Sequence, residues 1–146
     1  MSTSALSNET LSYTYTTVPT YTNTMVGYSQ SNLNVGVVTL PPGESTNLLS
    51  TTIVNRGIYL CQAKFSFEAL AGNTVGISLS TTSSTMNNDH TTQIYISTTG
   101  ATTYLNTTAV ITISAANTVL YCVGRSVTSG VTQPSGAVYL KYTRIA

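Results

Sequence analysis

One histidine, two cysteines and four acidic side chains are the groups that this 146-residue chain offers to a histidine-based triad, a carboxylate pair or a metal site. His90 follows Asp89 directly, and adjacency in sequence does not make the oriented imidazole–carboxylate contact that a nucleophilic triad needs. No Gly-x-Ser-x-Gly elbow is present. Glu9, Glu44, Glu68 and Asp89 are scattered along the chain, against both the paired carboxylates of glycoside hydrolysis and the clustered ones that calcium prefers. Cys61 and Cys122 lack the spacing of a zinc site and are too few for a disulfide scaffold. Cys61 falls on an apolar row expected to face the core, and Cys122 alternates with Val119, Tyr121 and Val123 and so is expected to point the other way. Both are expected as free thiols. The expectation is a protein that is not an enzyme, with no catalytic, cofactor-binding or metal residues.

Chemistry by binding is better represented. One polar stretch runs through Ser83 and Ser84 to Asn87, Asn88, Asp89 and His90, and a second spans Arg125 to Gln133 with Thr128 between them. Hydroxyl and carboxamide side chains on loops give adaptable hydrogen bonding, so Asn87, Asn88, Asp89, His90, Arg125, Thr128 and Gln133 are the candidate receptor-binding residues. A charge-poor, hydroxyl-rich surface suits a neutral glycan. Tryptophan is absent, which leaves Tyr95 and Tyr104 as the stacking rings.

The elements that must carry these loops are strands. Threonine (29) and serine (18) make up about a third of the residues, and only 6% are charged. No stretch shows apolar positions at helical spacing, whereas period-two alternation recurs. It predicts strands near 24–30, 34–40, 46–54, 57–69, 73–82, 91–99, 105–114, 117–127 and 136–145, divided by turn clusters such as Pro41-Pro42-Gly43 and Asn87-Asn88-Asp89. Residues 1–23 read as an extended lead-in or connector, and 24–146 as one all-β domain. A net charge of +1 argues against nucleic acid as a partner. No apolar run is long enough for a membrane-spanning helix, and the polar start of the chain argues against a signal peptide. Uncharged strand edges invite association, which favours an oligomer over a monomer.

Three segments carry a resemblance. Gly57-Ile58-Tyr59-Leu60-Cys61 follows a Gly-x-Tyr-x-Phe strand with Cys in the last place. Ile113-Ser114-Ala115-Ala116-Asn117-Thr118-Val119 follows a Leu-x-x-Gly-Asp-x-Val hairpin with Ala-Asn for Gly-Asp. Val138 to Tyr142 forms a closing apolar strand. From about residue 17 onward the chain resembles the C1q/TNF-like jelly roll, and within that family the domains of phage tail-fibre tips and large-virus particles. The resemblance implies an antiparallel two-sheet jelly-roll sandwich assembled as a homotrimer. Ile58, Leu60, Val110 and Tyr139, on outward strand faces, become the candidate trimer contacts.

The function this implies is that of a viral or phage structural protein: a trimeric fibre or head domain for host attachment by non-catalytic binding. Its expected partners are two further copies, other virion proteins and a host-surface receptor or glycan. Its expected place is the virion, assembled in the host cytoplasm. The alternatives are a capping or assembly module without its own receptor, and a cellular C1q/TNF-like ligand or adhesin.

Overall fold

β-Branched and aromatic residues in alternation leave the backbone little choice but extended pairing. The computed structural model describes residues 22–146, and the expected lead-in lies almost wholly outside them. Ten strands follow in order: β1 (Ser29–Leu33), β2 (Val38–Leu40), β3 (Ser45–Ile53), β4 (Gly57–Phe67), β5 (Thr74–Ser80), β6 (Thr91–Tyr95), β7 (Thr103–Ile113), β8 (Thr118–Ser126), β9 (Val131–Gln133) and β10 (Val138–Arg144). A single 3-10 turn, Asn88–His90, precedes β6. Among the described residues no helix is long and apolar enough to cross a membrane.

Two four-stranded antiparallel sheets have the orders β1-β10-β4-β7 and β3-β8-β5-β6. A third sheet, the two-stranded β2-β9 ribbon, was not expected, and with β9 it makes ten strands where nine were read. Val131-Thr132-Gln133 is too short to show a period, so Gln133 sits on a strand and not in a loop. The first strand also starts later than expected, because residues 22–27 turn back on themselves through Met25 N–H to Thr22 O.

The inward rows share one core. In β4 the row Tyr59, Cys61, Ala63, Phe65 and Phe67 is buried as its alternation requires. Val138, Leu140 and Tyr142 of β10 and Leu105, Ala109, Ile111 and Ile113 of β7 extend it. The second sheet answers with Ile53, Val75, Ile77, Leu79, Leu120 and Cys122. The phase of β8 is therefore the reverse of the expected one. Leu120 and Cys122 face the core, while Val119 and Tyr121 are half-buried on the outer side. Val123, on that outer row, is nevertheless fully buried. Its register neighbours Asn47 and Ser78 hold the 81–87 segment across it: Asn47 Nδ2 donates to Ser83 Oγ at 2.8 Å, and Ser78 Oγ accepts from Asn87 N–H at 2.9 Å. A bulge between Asn47 and Leu49 adds Leu48 to the core side of β3.

Candidate interaction surfaces

The outer face of β1-β10-β4-β7 is set by strand parity. Register places Leu33 opposite Tyr139, Tyr139 opposite Lys64, and Leu60 opposite Val110. Leu33, Tyr104 and Val110 are 55%, 71% and 58% exposed, while Ile58, Leu60 and Tyr139 are half-buried. All four contact candidates, Ile58, Leu60, Val110 and Tyr139, thus lie on one face, joined by Leu33 and Tyr104. The face carries two charges, Lys64 and Lys141, and no acid. The Lys64 ammonium sits 5.7 Å from the centre of the Tyr139 ring, which gives it an aromatic neighbour in place of a carboxylate. Beside them a groove of about 450 Å³ opens between Tyr104, Ser66, Asn106 and Gly136.

The second surface lies on the outer face of β3-β8-β5-β6, where the two polar loops meet. Asn88 and Met86 from the first, Arg125, which sits on β8 and not on the expected loop, and Val127 just beyond it rim a hollow of about 110 Å³ with Thr74, Thr91, Gln93 and Gly76. Gly76 stands in register between Gln93 and Arg125 and forms the floor. A Cβ there would come within 3.1 Å of Gln93 Cβ and 3.6 Å of Met86 Cε. An isolated glycine inside a strand, as in Thr74–Ser80, is the sequence signal of such a close approach.

The other receptor-loop candidates are dispersed by the fold. Asn87 is structural: its Oδ1 accepts from Asp89 N–H at 3.0 Å, and its carbonyl accepts from Ser78 Oγ and Thr91 Oγ1. His90 is held by its backbone, donating N–H to Asn87 O and accepting from Thr107 Oγ1, and Asp89 is exposed beside it. Thr128 donates its N–H and hydroxyl to Asn73 Oδ1 at 3.0 and 3.2 Å. Gln133 reaches Glu68 O from β9, away from the hollow. Asn88 and Arg125 alone of the seven line it.

Among the described residues no three His, Cys, Asp or Glu side chains group as metal ligands. Cys61 and Cys122 are buried free thiols, each pushed up to about 12 by burial. Both lie on inward rows, so the expected opposition of their directions does not hold; Cys122 follows the reversed phase of β8.

With this geometry in place, the chain can be set beside known proteins. No protein-family model matches it, and no curated protein matches it in sequence. Among solved structures it is similar to the Eiger TNF of S. frugiperda, with a TM-score of 0.53 at 9% identity over 84% of this chain and 94% of that one. The likeness is one of fold. The VP2 subviral particle protein of infectious bursal disease virus is similar at a TM-score of 0.46 and 14% identity, with 82% of this chain covered and 37% of that one. The Gx strain protein of that virus gives 0.46 and 13%, covering 89% and 42%. The chain is all-β, antiparallel and like the TNF jelly roll, as expected; the β2-β9 ribbon is an addition to the two sheets anticipated.

Proposed function

We propose that the chain is a structural subunit of a viral or phage particle, forming a homotrimeric fibre or head domain that attaches to the host by binding and not by catalysis. The observation that carries this reading is the outer face of β1-β10-β4-β7. Leu33, Tyr104 and Val110 stand in water there beside Ile58, Leu60 and Tyr139, on a sheet with no acid and two lysines. An apolar sheet face of this kind is stabilised when copies cover it around a closed symmetry axis. The Thr- and Ser-rich remainder supplies an uncharged exterior, and the polar loops supply the attachment side. Other virion proteins are its neighbours, and neither nucleic acid nor membrane insertion is part of the reading.

Light scattering on the purified chain tests it. Three copies of the 15.4 kDa chain give about 46 kDa. The double variant Leu60→Lys, Val110→Lys places two further ammoniums on the face and is expected to run as a folded monomer. A monomeric wild-type chain at high concentration would overturn the trimer. Attachment is tested separately, by binding of the intact trimer to host cells; an intact trimer that does not bind favours the capping or assembly role. The likeness in fold to a TNF over 94% of its length favours one further reading, a cellular ligand of that kind. It would be recognised by binding to a cell-surface receptor protein and not to a glycan.

A further inference from the structure

The hollow on the second sheet combines a shallow floor with polar groups that the fold leaves unpaired. Its floor is Gly76, where a Cβ would crowd Gln93 Cβ at 3.1 Å and Thr92 O at 3.3 Å. Arg125 is exposed at its rim. The other arginine of the same chain end, Arg144, donates to Arg56 O and to the Tyr59 hydroxyl, whereas the Arg125 guanidinium has no hydrogen-bond partner among the described residues. No acid lines the hollow. A guanidinium presents a planar fork of N–H donors whose match is a carboxylate held by two parallel hydrogen bonds.

The surroundings narrow the class of ligand. The side-chain amides of Asn88 and Gln93 line the same hollow as Arg125, and neither is hydrogen-bonded to another described residue. Each offers both donor and acceptor, which is what hydroxyl groups need. Met86 and Val127 add apolar wall. Tyr95 lies two residues beyond Gln93 on the same face of β6, in register with Thr74, and is 65% exposed. Tyr95 itself lines a neighbouring hollow with Ile94, Thr98 and Ala101, so it is an exposed ring next to the Gly76 hollow and not part of its wall. The hollow itself accommodates a functional group and its attached atoms, not a whole hexose.

We infer that the Gly76-floored hollow binds a carboxylate-bearing sugar, with Arg125 pairing with the carboxylate, Asn88 and Gln93 meeting hydroxyls, and Tyr95 stacking on the ring. This sharpens the neutral glycan expected from composition into an acidic one. Its use in attachment rests on the function proposed above; occupancy of the hollow by the free sugar does not depend on the trimer.

Glucuronic acid is the probe, with glucose as the neutral control and acetate as the bare carboxylate. Backbone amide NMR of the full chain is expected to show saturable shifts with glucuronic acid centred on Gly76, Gln93 and Arg125. Glucose is expected to bind at least about tenfold more weakly, and Arg125→Gln, an exposed and structurally mild change, to weaken glucuronic acid at least about tenfold. Tyr95→Ala is expected to weaken it with the melting temperature unchanged. Absence of saturable shifts with glucuronic acid, or affinity unaffected by Arg125→Gln, would overturn the inference. Acetate binding as tightly as glucuronic acid would overturn its sugar part. Molar mass measured on the same samples separates the two readings. A monomer that binds glucuronic acid keeps this inference and removes the trimer, and a trimer that does not bind it does the reverse.

Discussion

Two buried asparagines tie loops to the sheets through their side-chain amides. Asn73 is fully buried; its Nδ2 donates to Ser126 Oγ and Ser129 O, and its Oδ1 accepts from Val127 N–H and from both donors of Thr128. Asn34 plays the same part between the 34–37 and 134–136 loops, donating to Gly36 O and Pro134 O and accepting from Val138 N–H at 2.8 Å. Truncating such a residue strands several buried partners. Asn73→Ala is expected to cost about 3 kcal/mol, read from the urea midpoint, and to loosen Val127 beside the hollow. The two thiols give a pH signature. Well below pH 9 they are protonated in both the folded and unfolded chains. From there to about 12 the unfolded chain releases protons that the folded chain holds, so stability falls as pH rises. Tyr142, pushed up to about 12 by burial and by its neighbours Tyr28, Tyr59 and Cys61, acts in the same direction. Each thiol can contribute up to about 1.4 kcal/mol per pH unit in that window. Urea midpoints at pH 8 and 10.5 should show the loss, and Cys61→Ala with Cys122→Ala should flatten it.

Strand β4 is the element most fully written in the sequence. Its alternation gave both the core row and the outer row without error, because eleven residues with an unbroken period leave one phase available. The hairpin residue Asn117 was legible too: at φ 56° it takes the left-handed conformation that asparagine tolerates and alanine resists. Gly57, conspicuous in sequence only as part of a motif, has a physical reason in the fold. A Cβ there would sit 2.7 Å from Ala146 O and 2.9 Å from the Arg144 guanidinium, where the last residues pair back on Ile58. Gly57→Ala is expected to destabilise by roughly 1–3 kcal/mol, seen as a lower urea midpoint with the slope unchanged. Strand β8 was misread because Val119, Tyr121 and Val123 look more like a core row than Leu120, Cys122 and Gly124 do. Val123 is buried where the Thr- and Ser-rich 81–87 segment is tied across its register neighbours Asn47 and Ser78, and no local period encodes a loop that folds across a sheet. The same long-range fold brought Asn88 to Arg125 and carried Gln133 away from both.

At the scale of the whole molecule, a 6% charged exterior leaves the edges β1, β7, β3 and β6 with little of the lysine that ordinarily discourages sideways pairing. Association through the Leu60–Val110 face would make unfolding concentration-dependent. The melting temperature is expected to rise by several degrees over a hundredfold increase in protein concentration, and a constant value would speak for a monomer. The placement of β10 has a consequence for biosynthesis. Ser29 pairs with Thr143, and Tyr59 with Arg144, so β10, which follows the other nine strands in chain order, is the wedge between the first strand and the fourth. Until Val138–Arg144 emerges, a nascent chain displays the Tyr59–Phe67 row with one flank open, an apolar edge exposed to aggregation while that long-range pairing is still unmade.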